Sequence, residues 1–251
     1  MAIIAINGKI SSGKDEFCKR LQFNFYYKDD EFIKGKDIMW EDWCQQTHKS
    51  PFLVPSKKIK RHAFADKLKL CAAVILGINP EDYEDRNLKE NYYVNLLTFE
   101  LIHNTHLPKD ALIINTPLEI EELMDNNKVE DTMWAKHRTF MLQFFGTETC
   151  RAKIPHIWVN STFTNYKDGD NWIITDLRFR NEADFCKSKK DAHLIKIVRP
   201  DTDHLAGNAQ SEIDLNDYDN FDTIIINDGT LEDFYKKIDE IFEILRIKFN
   251  W

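Results

Sequence analysis

Five short runs of apolar and β-branched residues recur along the chain, and most are followed by a helical pattern. Runs of four to six such residues are typical of strands buried on both faces of a parallel sheet. Strands that alternate with helices predict a doubly wound α/β sheet with helices on both faces. The runs are Ile3–Ile6, Ile59–Phe64, Trp172–Thr175, Leu194–Val198 and Thr223–Ile226.

Apolar residues at helical spacing predict the helices between these strands. In the second helix Leu68, Ala72 and Leu76 share one face, and Gly77 follows as a C-cap. The last helix begins after Thr230, a favourable N-cap residue. The four predicted helices are Asp15–Tyr26, Ala65–Leu76, Thr139–Phe145 and Thr230–Leu245.

The region 80–135 has a weaker pattern. It suggests a short strand at Ile113 and Ile114 and a short helix from Leu118 to Met124. The chain shows no internal repeat and no low-complexity linker. We therefore expect one domain over residues 1–251, with 80–135 as an acceptor-binding or lid-like excursion from the main sheet.

Composition removes several classes of function. The 251 residues include 43% hydrophobic residues and carry a net charge of −8, which argues against direct binding of nucleic acid. No apolar stretch approaches the roughly 20 residues of a membrane span. The five cysteines are widely spaced, and the apolar start at Ile3–Ile6 is too short for a signal peptide. We expect a cytoplasmic protein that does not bind membranes.

The most informative string is Gly-Lys-Ile-Ser-Ser-Gly-Lys-Asp, from Gly8 to Asp15. It fits the phosphate-loop pattern G-x-x-x-x-G-K, and it lies between a predicted strand and a predicted helix, as that motif requires. Glycines let successive N–H groups face one anion, and the helix N-terminus adds partial positive charge. Lys14 would then reach the β- and γ-phosphates. The alternative is a glycine turn with a solvated lysine.

The residue after the lysine departs from the usual motif. A Ser or Thr there normally helps to hold Mg²⁺, whereas this chain has Asp15. Asp15, Glu16 or Asp176 could take that role, and the residues alone do not choose among them. The chain lacks the N-K-x-D motif of GTPases, which weakens that interpretation.

Two arginine-containing stretches predict a site for an anionic acceptor, since guanidinium groups bind phosphate through two parallel hydrogen bonds. One stretch runs from Arg138 to Arg151, with Gln143 inside a helix that Gly146 and Thr147 are expected to end. Gly146 would be a C-cap or a close approach of backbone to ligand, and Gln143 could contact a base edge. The alternative is a capped core helix with surface arginines.

The other stretch follows a predicted strand, at the edge where doubly wound sheets bind ligands. It contains Asp176, Arg178, Arg180 and Glu182, and its alternative is a charged loop that forms its own ion pair. A further stretch, Phe64–Lys69, also joins a strand to a helix. Its Asp66 is either a ligand contact or merely an N-cap or first-turn acid of the helix.

With these clusters in order, the chain resembles the deoxynucleoside monophosphate kinases of tailed coliphages over nearly its whole length. Asp15 is shared with that family, whereas Glu16 replaces the threonine that the family has next. The resemblance rests on Gly8–Asp15, Phe64–Lys69, Arg138–Gln143 with Gly146, Thr147 and Trp158, Thr175–Arg178 with Asn181 and Glu182, Lys196–Pro200, Ser211 with Glu212, and Ile226–Glu232.

The resemblance implies a three-layer P-loop kinase fold with a mostly parallel five-stranded sheet and a helical insertion. It implies transfer of the γ-phosphoryl group of ATP to 2′-deoxynucleoside 5′-monophosphates with Mg²⁺, for phage DNA synthesis, and some similar enzymes are dimers. Lys14, Arg138 and Arg178 would be catalytic, and Asp15 and Asp176 are the metal candidates. The ATP contacts would be Gly8, Ser12, Gly13, Lys14, Asp15, Glu16, Asn227 and Gly229. The acceptor contacts would be Ala65, Asp66, Lys69, Arg138, Gln143, Gly146, Thr147, Arg151, Trp158, Asp176, Arg178 and Glu182.

Two other functions remain open from the residues. A P-loop kinase for another small metabolite would also need Lys14 but would not respond to nucleoside monophosphates. A non-catalytic nucleotide-binding module would bind ATP without turnover, and the arginines beyond the phosphate loop argue against it.

Overall fold

The computed structural model describes residues 2–29, 59–81, 83, 85–200 and 210–251. The chain divides into two compact units. Unit 1 comprises Met1–Ala63 and Asn165–Trp251, and unit 2 comprises Phe64–Thr164. Within the described ranges, every helix is too short or too polar to cross a bilayer.

Unit 1 is built on a five-stranded sheet in which every pairing is parallel. With strands numbered along the described chain, the bounds are β1 Ala2–Gly8, β2 Lys60–His62, β7 Asn171–Ile174, β8 Ala192–Val198 and β9 Thr223–Ile226. The strand order is β2-β7-β1-β8-β9, so β1 is central and pairs with β7 and β8. This arrangement confirms the predicted α/β fold and all five predicted strands.

Helices cover both faces of this sheet. Among the described residues, the helices of unit 1 are α1 Lys14–Asp29, α6 Arg180–Lys187, α7 Gln210–Ile213 and α8 Leu231–Phe249. Alternate residues of β1, Ile4 and Ile6, share one apolar core with Phe17 of α1 and Phe234 of α8. On the other face, α6 packs against β1 and β8. Thr230 caps α8 as predicted, since its hydroxyl accepts from the Asp233 N–H.

Unit 2 interrupts unit 1 along the chain, and its described elements are α2 Ala65–Leu76, α3 Arg86–Asn91, β3 Tyr92–Asn95, β4 Leu101–His103, a 3₁₀ turn Asn104–His106, β5 Leu112–Ile114, α4 Pro117–Asp125, β6 Met133–Lys136, the π-helix Arg138–Arg151 and α5 Ile157–Phe163. The four strands form one sheet of order β4-β3-β6-β5, which packs in one core with α2, α4 and the π-helix. The sequence indicated only β5 of these four strands.

One helix boundary was predicted wrongly. The helix expected over Thr139–Phe145 runs on to Arg151 as a π-helix, so Gly146 and Thr147 lie inside it and do not end it. By contrast, Gly77 does end α2 in the left-handed conformation, at φ 64°. The lid-like role expected of 80–135 stays a prediction, and its residues 82 and 84 lie outside the described ranges.

His193 of β8 is a buried titratable group at the amino end of the sheet. Its Nε2 lies 2.8 Å from the Thr223 hydroxyl, and its Nδ1 lies 2.9 Å from Lys248 Nζ. Burial and the adjacent Lys248 lower the pKa of His193 from 6.5 to about 4, although Asp222 acts in the opposite direction. The folded state therefore holds a neutral imidazole at neutral pH.

We predict that unit 1 loses stability as the pH falls from 6.5 towards 4, because the unfolded chain binds a proton that folded His193 rejects. The group's contribution is fully present above pH 6.5 and falls by about 2 kcal/mol by pH 5. Urea unfolding of wild type and His193→Gln between pH 7 and 5 measures the difference. The control is His156→Gln, a change at an exposed histidine. Parallel pH profiles of wild type and His193→Gln would contradict the prediction.

Candidate active site

The predicted phosphate loop joins the end of β1 to the start of α1. Its backbone is tightly curled, because Ser11 and Gly13 both have positive φ, at 62° and 101°. Lys14 is the first residue of α1, so the helix N-terminus opens at this turn. Backbone N–H groups and a helix terminus that meet at one turn form a favourable site for an anion.

Space requires glycine at positions 8 and 13, and the positive φ of Gly13 favours glycine there as well. A β-carbon at Gly8 would lie 2.4 Å from the Ser12 hydroxyl and 2.9 Å from the Ile197 carbonyl oxygen. A β-carbon at Gly13 would lie 2.9 Å from both Asn227 Nδ2 and Phe234. Both clashes are too close for a real side chain. The two glycines of the motif therefore let the loop sit directly on β8 and on the start of α8.

Asn227 holds the backbone of the loop through a hydrogen bond. It follows β9, is buried, and donates from Nδ2 to the Ser12 carbonyl oxygen at 3.0 Å. The sequence analysis placed Asn227 among the ATP contacts, and the structure places its amide on the loop itself. Gly229, predicted beside it, lies just before α8, where a β-carbon would be 3.0 Å from the Asp233 carboxylate.

Lys14 folds back across the loop. Its Nζ donates to the Lys9 carbonyl oxygen at 2.6 Å. A flexible lysine can exchange this single carbonyl contact for a phosphate oxygen of much higher charge. Its position at the loop therefore agrees with the predicted role, which stays a prediction.

Two carboxylates lie near the start of α1. Burial, followed by the charge of Asp15, raises the pKa of the Cys18 thiol, and Asp176 adds to the effect. Both acids are thus within electrostatic range of this buried thiol of α1. One or two carboxylates, completed by phosphate oxygens and water, suit Mg²⁺. Within the described ranges no group of three His, Cys, Asp or Glu forms a protein-only metal cluster.

Glu16, the third candidate for the metal, has other partners. Its Oε1 lies 3.0 Å from Lys19 Nζ, and its Oε2 accepts from the Tyr235 hydroxyl at 3.1 Å. Because Tyr235 belongs to α8, Glu16 joins the two helices that cover one face of the sheet. Glu16 therefore has a structural role, and the metal contacts of Asp15 and Asp176 stay predictions.

The loop after β7 is held by a buried acid. Glu182 accepts from the backbone N–H groups of Arg178 and Phe179, at 2.9 and 3.1 Å, and so caps the first turn of α6. Glu182 was predicted to bind the acceptor, whereas here it fixes the backbone that carries Arg178. Arg180, which belongs to the same cluster, forms an ion pair with Asp217.

The remaining predicted residues belong to unit 2. Ala65, Asp66 and Lys69 are half-buried on the first two turns of α2, and Asp66 is a first-turn acid without an N-cap role, because Phe64 holds that position. The others lie on the π-helix and α5. Arg138 is exposed, Gln143, Thr147 and Arg151 are half-buried, and Gly146 and Trp158 are buried.

Gly146 is a packing glycine. A β-carbon there would lie 2.4 Å from Leu68 Cδ2 of α2. Its carbonyl oxygen accepts from the indole N–H of Trp158 at 3.0 Å. The prediction of a C-cap is wrong, because Gly146 lies inside the π-helix. The absence of a side chain there lets three helices of unit 2 pack close together. The proposed contacts of Gly146 and Trp158 with the acceptor stay predictions.

A cavity of about 240 Å³ beside the loop is lined by basic residues, most of which had no predicted role. Lys9, Lys196 and Arg199 line it together with the predicted Arg178. A signal for Lys196 was present, because it interrupts the apolar run of β8, a strand buried within the sheet. A lysine in such a strand needs a polar environment.

We predict that Asn227→Asp weakens ATP binding about tenfold, because the substituted oxygen cannot donate to Ser12 and would face its carbonyl oxygen. Isothermal titration calorimetry measures the affinity. Asn165→Asp, an exposed change in the same unit, is the control. Equal ATP affinities of Asn227→Asp and wild type would contradict the idea that this hydrogen bond shapes the loop.

We predict that Gly146→Ala destabilises unit 2 by about 1–3 kcal/mol, because the new methyl group overlaps Leu68. Denaturant unfolding measures the cost in wild type and in a Leu68→Ala background, where the space is open. The cost should be smaller in the second background. Equal costs in the two backgrounds would show that the contact with Leu68 is not the reason for the glycine.

The chain is similar to known proteins. The family model for deoxynucleotide monophosphate kinase matches residues 2–238. A protein of Acanthamoeba polyphaga mimivirus, provisionally named a deoxynucleotide monophosphate kinase, is 34% identical over 116 residues. That match covers 39% of this chain, and the chain spans 57% of the relative's length. Because the family match extends over almost the whole sequence, this chain belongs to the deoxynucleotide monophosphate kinase family.

Proposed function

We propose that this protein transfers the γ-phosphoryl group of ATP to 2′-deoxynucleoside 5′-monophosphates, giving ADP and deoxynucleoside diphosphates. The observation that carries the proposal is the phosphate loop between β1 and α1, in a chain whose family match runs from residue 2 to 238. In a virus-infected cell this reaction would supply precursors for DNA synthesis. The resemblance to coliphage enzymes and the mimivirus relative both support that setting.

The donor phosphates would lie on the loop from Gly8 to Lys14. Backbone N–H groups of the curled loop would hold the β- and γ-phosphates, and Lys14 would leave the Lys9 carbonyl to contact them. Asp15 and Asp176 would hold Mg²⁺ together with phosphate oxygens. When bound, the ion offsets negative charge on the phosphates.

The acceptor phosphate is itself the nucleophile, so the chain needs no general base. One of its oxygens forms a bond to the γ-phosphorus while the bond from that phosphorus to the bridging oxygen breaks. ADP leaves with the electron pair. We assign Arg138 and Arg151 to the acceptor phosphate and Arg178 to the transferring group, because guanidinium groups remain charged and bind phosphate in pairs of hydrogen bonds.

Catalysis of this kind consists of positioning and electrostatic stabilisation. Two hydrogen bonds would position these parts of the site: Asn227 donates to the Ser12 carbonyl oxygen of the phosphate loop, and Glu182 accepts from the backbone N–H of Arg178. Gln143 and Trp158 are our candidates for the acceptor nucleoside. The base preference of the enzyme would depend on them.

The test is ADP formation from ATP and Mg²⁺ with each deoxynucleoside and ribonucleoside monophosphate. We expect turnover with deoxynucleotides that falls about 10³-fold or more in Arg138→Ala, by analogy with other arginines that stabilise phosphoryl transfer. Lys14→Ala should abolish turnover. Lys190→Ala, an exposed lysine of unit 1, is the matched control and should keep full activity.

The alternatives give different results in the same assay. ATP binding without ADP formation for any monophosphate would refute the proposal and favour a kinase for another metabolite or a non-catalytic module. Turnover that survives Lys14→Ala would separate the reaction from this loop. Equal rates with ribonucleotides would refute the preference for deoxynucleotides but not the kinase activity.

A further inference from the structure

The cavity beside the phosphate loop lies at the carboxyl ends of β1 and β8. Along β8, Ile195 and Ile197 belong to the core shared with α1 and α8, so the alternate residues Lys196 and Val198 point to the opposite face. Lys196 and Val198 line the cavity together with Ile197. It includes Gly8 and Lys9, the first residues of the loop.

The described charged residues that line this cavity are all cations. Four of its described lining residues are cationic, namely Lys9, Arg178, Lys196 and Arg199, and no described lining residue is acidic. Several like charges around one small volume repel each other, and an anion that enters the cavity relieves this repulsion. At Lys196, burial and then the charge of Lys9 lower the pKa, although Asp219 and Asp217 act in the opposite direction.

Lys196 is held in place. Its Nζ donates to the carbonyl oxygens of Leu215 and Asn216, at 3.0 and 3.2 Å, and lies 5.3 Å from the centre of the Phe221 ring. An ammonium group has three donors, so a third N–H is available beyond these two carbonyls. The charge is therefore fixed before any ligand arrives, which reduces the entropy cost of binding.

The size of the cavity restricts its ligand. At about 240 Å³ it is smaller than the roughly 300–1,000 Å³ of sites that enclose a whole drug-sized molecule. Four cations and the start of a phosphate loop favour a compact, multiply charged anion. A phosphate group or the end of a polyphosphate chain has that chemistry.

We propose that this cavity is a phosphate subsite for the end of a polyphosphate chain, in which Lys196 supplies a fixed positive charge together with Lys9, Arg178 and Arg199. The identity of the natural ligand, a nucleoside triphosphate, rests on the proposed function. The subsite itself rests on the cavity and its charges. It adds Lys9, Lys196 and Arg199 to the residues that the loop motif indicates.

The test is calorimetric titration of the whole protein with inorganic tripolyphosphate at low salt, without nucleotide. We expect Lys196→Met and Arg199→Gln each to weaken binding at least tenfold. Lys196→Arg, which keeps the charge, should stay within about threefold of wild type. Lys190→Met, an exposed change in the same unit, should have no effect. Added salt should reduce the difference between wild type and Lys196→Met, because salt screens charge.

Lys196→Gln separates charge from structure, since its amide can still donate to a carbonyl oxygen but carries no charge. Binding as weak as in Lys196→Met supports the subsite, whereas wild-type binding would show that Lys196 only holds residues 215 and 216. If Lys196→Met does not fold, the Gln, Arg and Arg199→Gln variants still decide the question. Unchanged affinity in both Lys196→Gln and Arg199→Gln overturns the proposal.

The result of the kinase assay and the result of this titration are independent of each other. Tripolyphosphate binding that depends on Lys196 supports the subsite even if no deoxynucleoside monophosphate is phosphorylated. Turnover with deoxynucleotides, combined with tripolyphosphate binding that ignores Lys196 and Arg199, would overturn the subsite and leave the proposed function standing.

Discussion

The position of β1 between β7 and β8 is the constraint on which the rest of unit 1 depends. Parallel pairing on both sides satisfies its backbone hydrogen bonds, and its side chains from Ala2 to Ile6 are buried. Such a strand cannot move without breaking two ladders. Its carboxyl end therefore presents the phosphate loop from a fixed point, and α1 begins where the loop ends.

The loop itself is strained and is held by its neighbours. Ser11 has a left-handed conformation that non-glycine residues seldom adopt. This conformation costs energy, and it persists only where the surrounding structure maintains it. The Asn227 amide supplies one such restraint through the Ser12 carbonyl. Because Asn227 follows β9 and precedes α8, the loop is tied to the far edge of the sheet, although β9 and β1 are not neighbours.

Sequence patterns predicted unit 1 well and unit 2 poorly, for physical reasons. Buried parallel strands appear as short apolar runs, and the phosphate-loop motif depends on local backbone geometry, so both are visible in the sequence. The strands of unit 2 are only three or four residues long and alternate little. The role of Gly146 depends on Leu68, far away in the sequence, and no local pattern reports such a contact.

Net charge and local charge carry different information about this protein. The overall value of −8 concerns solubility and long-range attraction, whereas four cations line one cavity of unit 1. Lys196 illustrates the difference, because a cation in an apolar strand pays a desolvation cost that an exposed lysine avoids. Two carbonyl oxygens offset part of that cost in the free protein. An anion in the cavity would offset more of this desolvation cost. The buried charge of Lys196 is therefore less stable in the empty cavity than in a cavity that holds an anion.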